Sequence, residues 1–276
     1  MIETKTINTT NITNAVSSEQ SARRDGLDCV EILGVHVHRV SMVQTLSMLE
    51  SMALDGQRNH VVTVNPEFII TAQKNHIFRD VLNRASLAIP DGIGVVWASK
   101  ILRKPIPERV AGVDMVEQFA AIASRYKLRV FFLGAAPGIA ERAAQVLQHQ
   151  HPGFIIAGTY AGSPRLEDDD EICKRIQATS PHVLLVAYGA PQQDLWISRN
   201  MKRLNVPISI GVGGTFDYIT GVVVRAPRWV QNMGLEWFHR LIKQPHRFQR
   251  MLALPRFAIA VLMQRLKTFV KIRTYL

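Results

Sequence analysis

From residue 60 onward, short apolar runs alternate with segments of helical periodicity, and this alternation restricts the possible folds more than any other feature of the chain. Several runs are apolar throughout, which is typical of strands covered by helices on both faces. Strict alternation favours a mostly parallel sheet with right-handed crossovers, a Rossmann-like α/β architecture. The predicted strands are HVVTV (60–64), SLAI (86–89), RVFFLG (129–134), FIIAG (154–158), HVLLVAYG (182–189) and PISIGVG (207–213), and the predicted helices lie near 66–84, 93–103, 113–127, 137–150, 167–179 and 191–203.

The residues before this region predict a tail, a hairpin and a helix. Residues 1–25 are rich in Thr, Asn and Ser without an apolar core, which indicates a disordered tail rather than a secretory signal. CVEILGVHVHRV (29–40) predicts a hairpin around Gly34, and SMVQTLSMLESMALDG (41–56) predicts a helix that stops at Gly56. The two cysteines form no convincing disulfide or zinc pattern, so we expect a reducing cytoplasm.

The charge of the chain is concentrated near its C-terminus. Residues 225–276 contain eleven Lys and Arg and one acid, Glu236, so they carry nearly all of the formal net charge of +11. Aromatic, Leu and Met side chains are mixed with these bases, and Pro245 and Pro255 are expected to divide the segment into shorter helices. No apolar stretch approaches the roughly 20 residues needed to span a bilayer. We therefore predict a Rossmann-like domain over 26–221 and a basic, amphipathic, membrane-surface appendage over 222–276.

Polar residues collect where the predicted strands end, which is where parallel sheets bind ligands. Asp91 stands between a strand and a helix in AIPDGIGVVWASK (88–100). Spacing alone favours a helix N-cap for it, since Asp is a preferred cap, over a general base that accepts a proton from a sugar hydroxyl. Thr63 and Asn65 in TVNPEF would bind substrate hydroxyls, or form an ordinary strand-to-helix turn before Pro66.

Three appendage arginines are spaced for a common role. On a continuous helix, Arg240, Arg247 and Arg250 would fall within roughly an 80° arc. Such a face suits either a diphosphate or lipid headgroups, and the pattern does not separate the two. Pro245 interrupts the segment, so the shared face is conditional on the path of the chain there.

Other motifs are given no catalytic role. The acids of LEDDDEI (166–172) open a predicted helix, where they complement its dipole, so we do not read them as a metal motif. His36 and His38 alternate on a strand without further ligands, which favours a surface-facing pair over a metal site. LGAAPG (133–138) lacks the full glycine fingerprint of a dinucleotide site, which disfavours a dehydrogenase.

Seven ordered blocks resemble the WecG/TagA/CpsF family of bacterial glycosyltransferases, over about residues 30 to 250. They are TVNPEF, AIPDGIGV, RVAGVDM, VFFLGAAPG, YGAPQQDLWI, GVGGTFDYITG and RAPRWVQNMGLEWFHRL. The resemblance implies an inverting, metal-independent transfer of a sugar from a UDP-sugar to an undecaprenyl-diphosphate-linked sugar at the cytoplasmic face of the membrane, in synthesis of cell-surface polysaccharide. No cofactor is expected. The donor sugar is N-acetylmannosamine, its uronic acid or glucose, and no residue here decides among them.

The resemblance also assigns roles to residues. The family's proposed base falls on Asp91, which reverses the preference for a cap. Its Thr and Asn fall on Thr63 and Asn65, and the glutamine of its GAPxQE block falls on Gln193, with Asp194 replacing the commoner glutamate. Its appendage arginines fall on Arg240, Arg247 and Arg250, which would neutralise the departing UDP in place of a metal.

Two further questions concern partners. A non-catalytic Rossmann-like protein that binds anionic membranes explains the basic appendage but leaves the polar residues at the strand ends without a purpose. Binding to nucleic acid is disfavoured, because the appendage aromatics occur with Leu and Met and suit lipid better than base stacking. The exposed apolar side chains expected on the appendage also suit a homo-oligomer, in which two appendages pack together when the protein is off the membrane.

Overall fold

The computed structural model describes residues 27–243, Phe248 and residues 252–274; within these ranges no side chain is described at 232, 240, 243 or 268–274. The predicted tail at 1–25 lies outside the described residues. The strands are β1 (Cys29–Ile32), β2 (Val35–His38), β3 (Asn59–Val64), β4 (Leu87–Pro90), β5 (Arg129–Gly134), β6 (Ile155–Tyr160), β7 (Val183–Ala187) and β8 (Ile208–Gly211).

Helices connect and follow these strands. A single 3-10 turn, Leu166–Asp168, precedes the seventh of them. The α-helices are α1 (Met42–Leu54), α2 (Pro66–Lys74), α3 (His76–Arg84), α4 (Ile93–Ile101), α5 (Gly112–Arg125), α6 (Ile139–Gln150), α7 (Asp169–Thr179), α8 (Gln192–Leu204), α9 (Thr215–Ile219), α10 (Arg228–Asn232), α11 (Glu236–Lys243) and α12 (Ala253–Thr274).

Six parallel strands form the central sheet in the order β4-β3-β8-β7-β5-β6. Alternate residues of each strand face opposite sides, so each strand contributes to two cores. Val61 packs on one side with Leu49 of α1 and Met115 of α5, whereas Val62 packs on the other with Phe68 of α2. This doubly covered sheet explains the fully apolar runs in the sequence and confirms the predicted Rossmann-like α/β class.

The predicted hairpin and first helix are also confirmed. β1 and β2 pair antiparallel across Leu33 and Gly34, which both have positive φ as a tight hairpin turn requires. Helix α1 begins after a capping box formed by Ser41 and Gln44 and ends at Leu54, two residues before Gly56.

Two predictions about helix ends are wrong. The predicted helix at 66–84 is two helices, and the predicted break at Pro255 does not occur. Asn75 has extended backbone angles and its side chain accepts a hydrogen bond from Phe78, so it caps a new helix in the middle of the segment. Pro255 lies in the first turn of α12, where its missing N–H costs no helical hydrogen bond, so the expected break there is wrong. Pro245 lies outside the described residues.

The last helix shares a core with the body. Phe257 and Val261 of α12 are buried in the same cluster as α2 and α4, and the Gln264 side chain bonds Leu33 N and Glu31 O of the hairpin. None of the helices among the described residues is long and apolar enough to cross a bilayer. A division of the chain at residue 221 stays a prediction.

Phe216 supports the loop that leads from β8 into the cavity described below. Its ring is fully buried and lies 5.3 Å, centroid to centroid, from Phe132 of β5. We expect Phe216→Ala to lower the free energy of unfolding by about 3–5 kcal/mol, because the cavity left behind adds to the lost transfer energy. Phe238→Ala, at a half-exposed ring of α11, should cost less than about 1 kcal/mol. Equal losses in urea unfolding would contradict this account.

Candidate active site

A cavity of about 270 Å³ opens at the carboxyl ends of four neighbouring strands. Loops after β3, β4, β7 and β8 form its walls, and the start of the appendage forms a further side. The sequence predicted a site at this edge of the sheet, and the predicted residues Thr63, Asn65, Asp91 and Gln193 all line this one cavity. Its polar and charged lining includes Thr63, Asn65, Glu67, Asp91, Arg109, Gln193, Thr215, Tyr218, Arg225 and Glu236.

Asp91 directly follows β4 and precedes α4 in the chain, but its side chain contacts the start of α5. Helix α4 is capped by Gly92, without a side-chain hydrogen bond. Oδ1 of Asp91 instead accepts a 3.1 Å hydrogen bond from the backbone N–H of Gly112, the first residue of α5. The expectation of an N-cap on α4 is therefore wrong. The positive end of the α5 dipole favours a negative charge on this half-buried carboxylate.

Three side chains converge on the first residue of α5. A Cβ added at Gly112 would lie 3.5 Å from Cγ2 of Thr63, 3.7 Å from Oδ2 of Asp91 and 3.9 Å from Oγ1 of Thr215. The carboxylate thus stands between the wall formed by β3 and the wall formed by the loop after β8. A hydroxyl group bound in the cavity near Gly112 would be within reach of Asp91.

Thr63 and Asn65 both have structural partners. The Thr63 hydroxyl is buried and donates a 3.1 Å hydrogen bond to the carbonyl of Gly211 in β8. Oδ1 of Asn65 accepts a 3.1 Å bond from Phe68 N, so Asn65 is the N-cap of α2 with Pro66 at its first position. The ordinary strand-to-helix turn that was one of the two interpretations of TVNPEF is therefore present. Asn65 lies at the cavity wall, and within the part of the chain that the structure describes its Nδ2 donates no hydrogen bond to the protein.

Gln193 sits in the first turn of α8 and is fully buried. Its Oε1 accepts a 2.9 Å hydrogen bond from Gly213 N, which orients the amide so that Nε2 points the other way. Among the described residues Nε2 has no hydrogen-bond partner. Nε2 lies on the Gly211 side, where a Cβ at Gly211 would be 2.5 Å from both this nitrogen and Oδ1 of Asp194.

Two arginines and two acids join the appendage to the body beside the cavity. Arg109 Nη1 lies 2.9 Å from Glu236 Oε2, and Arg225 Nη2 donates to Asp114 Oδ2 at 3.1 Å. Arg225 Nε also lies 3.6 Å from Glu236 Oε1. The hydrogen bond to Asp114 raises the pKa of Arg225 further above its ordinary value. We call these four residues, Arg109, Asp114, Arg225 and Glu236, the clasp.

Comparison with known proteins identifies the family of this chain. The model of the glycosyl transferase WecG/TagA/CpsF family matches residues 30–271. The chain belongs to this family. The match extends beyond the last resembling block of the sequence and includes most of α12.

Three relatives carry the same name, N-acetylglucosaminyldiphosphoundecaprenol N-acetyl-beta-D-mannosaminyltransferase. The protein of Bacillus spizizenii is 37% identical over 79% of this chain and 84% of its own length. That of Bacillus subtilis is 34% identical, covering 82% and 90%. That of Staphylococcus aureus is 30% identical, covering 83% and 90%. The chain is similar to these enzymes along most of its described length.

The predicted diphosphate-binding arginines lie largely beyond what is described. Arg240 is on α11, one turn after Glu236, but its side chain is outside the described residues. Arg247 and Arg250 also lie outside them. Their shared face and their role in this family member remain predictions.

The motifs set aside in the sequence have structural partners. Asp169 of LEDDDEI is buried, and its carboxylate accepts two hydrogen bonds from Arg199 at 2.7 and 2.9 Å. Burial opposes the charged form, but the hydrogen bonds from Arg199 and Asn200 hold the pKa of Asp169 below its ordinary value. No group of three or more metal-ligating side chains occurs among the described residues.

The expected surface-facing histidine pair is wrong for one member. His38 is buried, and its Nδ1 accepts a 2.9 Å hydrogen bond from the backbone N–H of Ala88 in the edge strand β4. His36 remains largely exposed near Glu31. The imidazole of His38 thus pairs a backbone N–H on the edge of the sheet that would otherwise lack a partner.

The sequence analysis did not predict the clasp, although its four residues lie in two segments that resemble the family, RVAGVDM and RAPRWVQNMGLEWFHRL. Arg109 and Asp114 belong to RVAGVDM, and Glu236 had been noted only as the single acid of the basic segment. An isolated acid among eleven bases was the available signal, because such an acid is expected to have a cationic partner.

Loss of the clasp should loosen the appendage without unfolding the body. In Arg225→Met, Asp114 and Glu236 lose a charge-assisted partner, so we expect local opening of 228–243 to become easier by about 1–3 kcal/mol. Backbone hydrogen exchange in these residues should accelerate roughly tenfold or more, by the corresponding free-energy conversion. Arg228→Met, at an exposed arginine of α10, is the control and should leave exchange unchanged. Unaltered exchange in Arg225→Met would contradict the role of the clasp.

Proposed function

We propose that this chain transfers a sugar from a UDP-sugar to an undecaprenyl-diphosphate-linked sugar and inverts the anomeric configuration. The observation that carries the proposal is the position of Asp91, whose carboxylate is held by the N-terminus of α5 inside a cavity lined by Thr63, Thr215 and Gln193. Membership of the family supports the reaction class, and the names of the relatives support the lipid-linked acceptor. Those names also favour N-acetylmannosamine among the three sugars considered.

In this proposal Asp91 is the general base. Its carboxylate accepts the proton of the acceptor sugar's attacking hydroxyl as the new bond to the anomeric carbon forms. The bond from that carbon to UDP breaks, and UDP leaves with the electron pair on the opposite face, which inverts the configuration. The Gly112 N–H bonds one carboxylate oxygen and so fixes the orientation of the carboxylate at the cavity wall.

Charge on the departing UDP requires stabilisation. We assign this to Arg240, Arg247 and Arg250 of the appendage, so the reaction proceeds without a metal ion or other cofactor. Asn65 presents an amide donor at the cavity wall, and the Gln193 side chain lines the same cavity, so both would contact the substrate. The clasp would keep the appendage docked while these groups act.

The first experiment is UDP release from a panel of UDP-sugars with a polyprenyl-diphosphate-linked sugar acceptor in EDTA. We expect acceptor-dependent release from one donor, and a 10²–10⁴-fold lower turnover in Asp91→Asn, because the amide cannot accept the proton. The amide oxygen can still accept from Gly112, so the fold should be retained. Asp80→Asn, at an exposed acid of α3, is the matched control and should keep full turnover.

Two results would refute parts of this proposal. Near wild-type turnover in Asp91→Asn would show that another group is the base. Absence of UDP release from every donor, combined with tight binding to anionic vesicles, would favour the second candidate, a non-catalytic protein that binds anionic membranes. That candidate is supported by the basic and apolar surface of the appendage.

We also propose that the appendage lies on the inner face of the cell membrane. Ile259, Leu262, Met263 and Leu266 form one stripe of α12, at helical spacing, and each is between 51% and 63% exposed. The opposite face of this helix is buried through Phe257 and Val261. An exposed apolar stripe beside many basic residues suits insertion into an anionic lipid surface.

Polar substitution of this stripe should weaken membrane binding. We expect the double variant Leu262→Gln and Leu266→Gln to bind anionic vesicles about tenfold or more weakly, because each leucine no longer transfers apolar area into lipid. Leu166→Gln, at an exposed leucine of the body, is the control. Unchanged vesicle cosedimentation of the double variant would place the lipid contact elsewhere. A homo-oligomer that uses the same surface would instead appear in solution as a mass change in the double variant.

A further inference from the structure

The first turn of α8 carries a buried carboxylate that the proposed reaction does not use. Asp194 follows Gln193 directly and is fully buried. Neither of its carboxylate oxygens has a hydrogen-bond partner among the described residues. Nε2 of His60 in β3, also buried, lies 3.4 Å from Oδ1 of Asp194. A carboxylate in such surroundings is unfavourable unless a nearby positive charge compensates it.

His60 lies in contact with the carboxylate, and the helix dipole stabilises a negative charge at the same place. Asp194 is the third residue of α8, so it lies within the positive end of the helix dipole. His60 belongs to the strand that pairs with β8, opposite Ser209. The contact between His60 and Asp194 therefore ties the beginning of α8 to the centre of the sheet.

Gly211 brings the carboxylate and the glutamine amide to one point. A Cβ at this residue would lie 2.5 Å from both Oδ1 of Asp194 and Nε2 of Gln193, so no larger residue fits without moving them. Both side chains thus rest against the same stretch of β8 backbone. A displacement of Asp194 would displace the amide beside it.

We infer that His60 and Asp194 are positioning residues that hold the Gln193 amide toward the substrate. The inference rests on the proposed function, in which the Gln193 side chain at the cavity wall contacts the substrate. His60 contacts Asp194 in the first turn of α8, and Gly213 N donates a hydrogen bond to Oε1 of Gln193 in the same turn. A buried ion pair often adds little net stability compared with apolar residues, and its better-attested use is to select one geometry.

A double-mutant cycle tests whether the pair acts through Gln193. We expect Asp194→Asn and Gln193→Ala each to lower kcat/KM for the UDP-sugar about tenfold, mainly through KM. In the Gln193→Ala background, Asp194→Asn should then change kcat/KM less than twofold. His60→Asn should behave like Asp194→Asn. Effects that multiply in the combined variants would overturn the inference.

Two further variants separate positioning from a general loss of stability. Asp169→Asn removes another buried acid that pairs with α8, through Arg199, far along the helix from Gln193. It should lower the Tm but leave KM unchanged. Gly211→Ala keeps every functional group, and its Cβ would crowd Gln193 and Asp194 first. It should therefore reproduce the rise in KM even if Asp194→Asn does not fold. A rise in KM in Asp169→Asn equal to that in Asp194→Asn would overturn the inference.

A spectroscopic measurement tests the inference independently of sugar transfer. The side-chain ¹⁵N–¹H₂ resonances of Gln193, assigned by their loss in Gln193→Ala, should shift in Asp194→Asn, His60→Asn and Gly211→Ala but not in Asp169→Asn. Unshifted resonances in the first three variants would overturn the inference even if transfer proceeds. Shifted resonances in a protein that releases no UDP from any donor would support the positioning and reject the proposed function.

Discussion

The parallel pairing of β3 with β8 is the contact on which the candidate site depends. The two strands are far apart in the chain, yet Asn59 pairs with Ile208 and Val61 with Ile210. Beyond the last paired residues, the hydroxyl of Thr63 continues the contact to the carbonyl of Gly211. Because parallel strands end at the same edge, this pairing brings the loop after β8 beside the loops after β3 and β4. The walls of the cavity come from these loops.

Two helix N-termini then supply the local electrostatics of the cavity. The start of α5 faces Asp91, and the start of α8 carries Gln193 and Asp194. A helix N-terminus offers unpaired N–H groups and a partial positive charge, so both are suited to hold acidic or amide side chains in one orientation. The side chains of Asp91 and Gln193 are therefore oriented by helix N-termini of the scaffold.

The start of α5 also connects the base to the appendage. Gly112 bonds Asp91, and Asp114, in the same turn, bonds Arg225. Glu236, at the beginning of α11, contacts both Arg225 and Arg109. The appendage, which carries the proposed diphosphate-binding arginines, is thus joined by ion pairs to the helix that orients the carboxylate. Docking of the appendage and the geometry around Asp91 are coupled by these contacts.

Much of the architecture followed from local patterns, because helices and strands leave periodic traces in a sequence. Apolar runs predicted the six parallel strands, and the alternation around Gly34 predicted the hairpin. The break at Asn75 was missed, since a single capping residue within a continuous amphipathic pattern leaves the period almost unchanged. The burial of His38 was missed because its partner, the edge of β4, is distant in the chain.

The sequence by itself determined the α/β class, the edge of the sheet where the site lies, and the presence of Asp91, Thr63, Asn65 and Gln193 there. Those features depend on residues a few positions apart, whose spacing sets which face they share. Only the tertiary structure decided that Asp91 faces α5 and not α4, that Arg225 bonds Asp114, and that His60 lies beneath Asp194. These contacts join residues brought together by strand order and helix packing, and no local period records such long-range pairing.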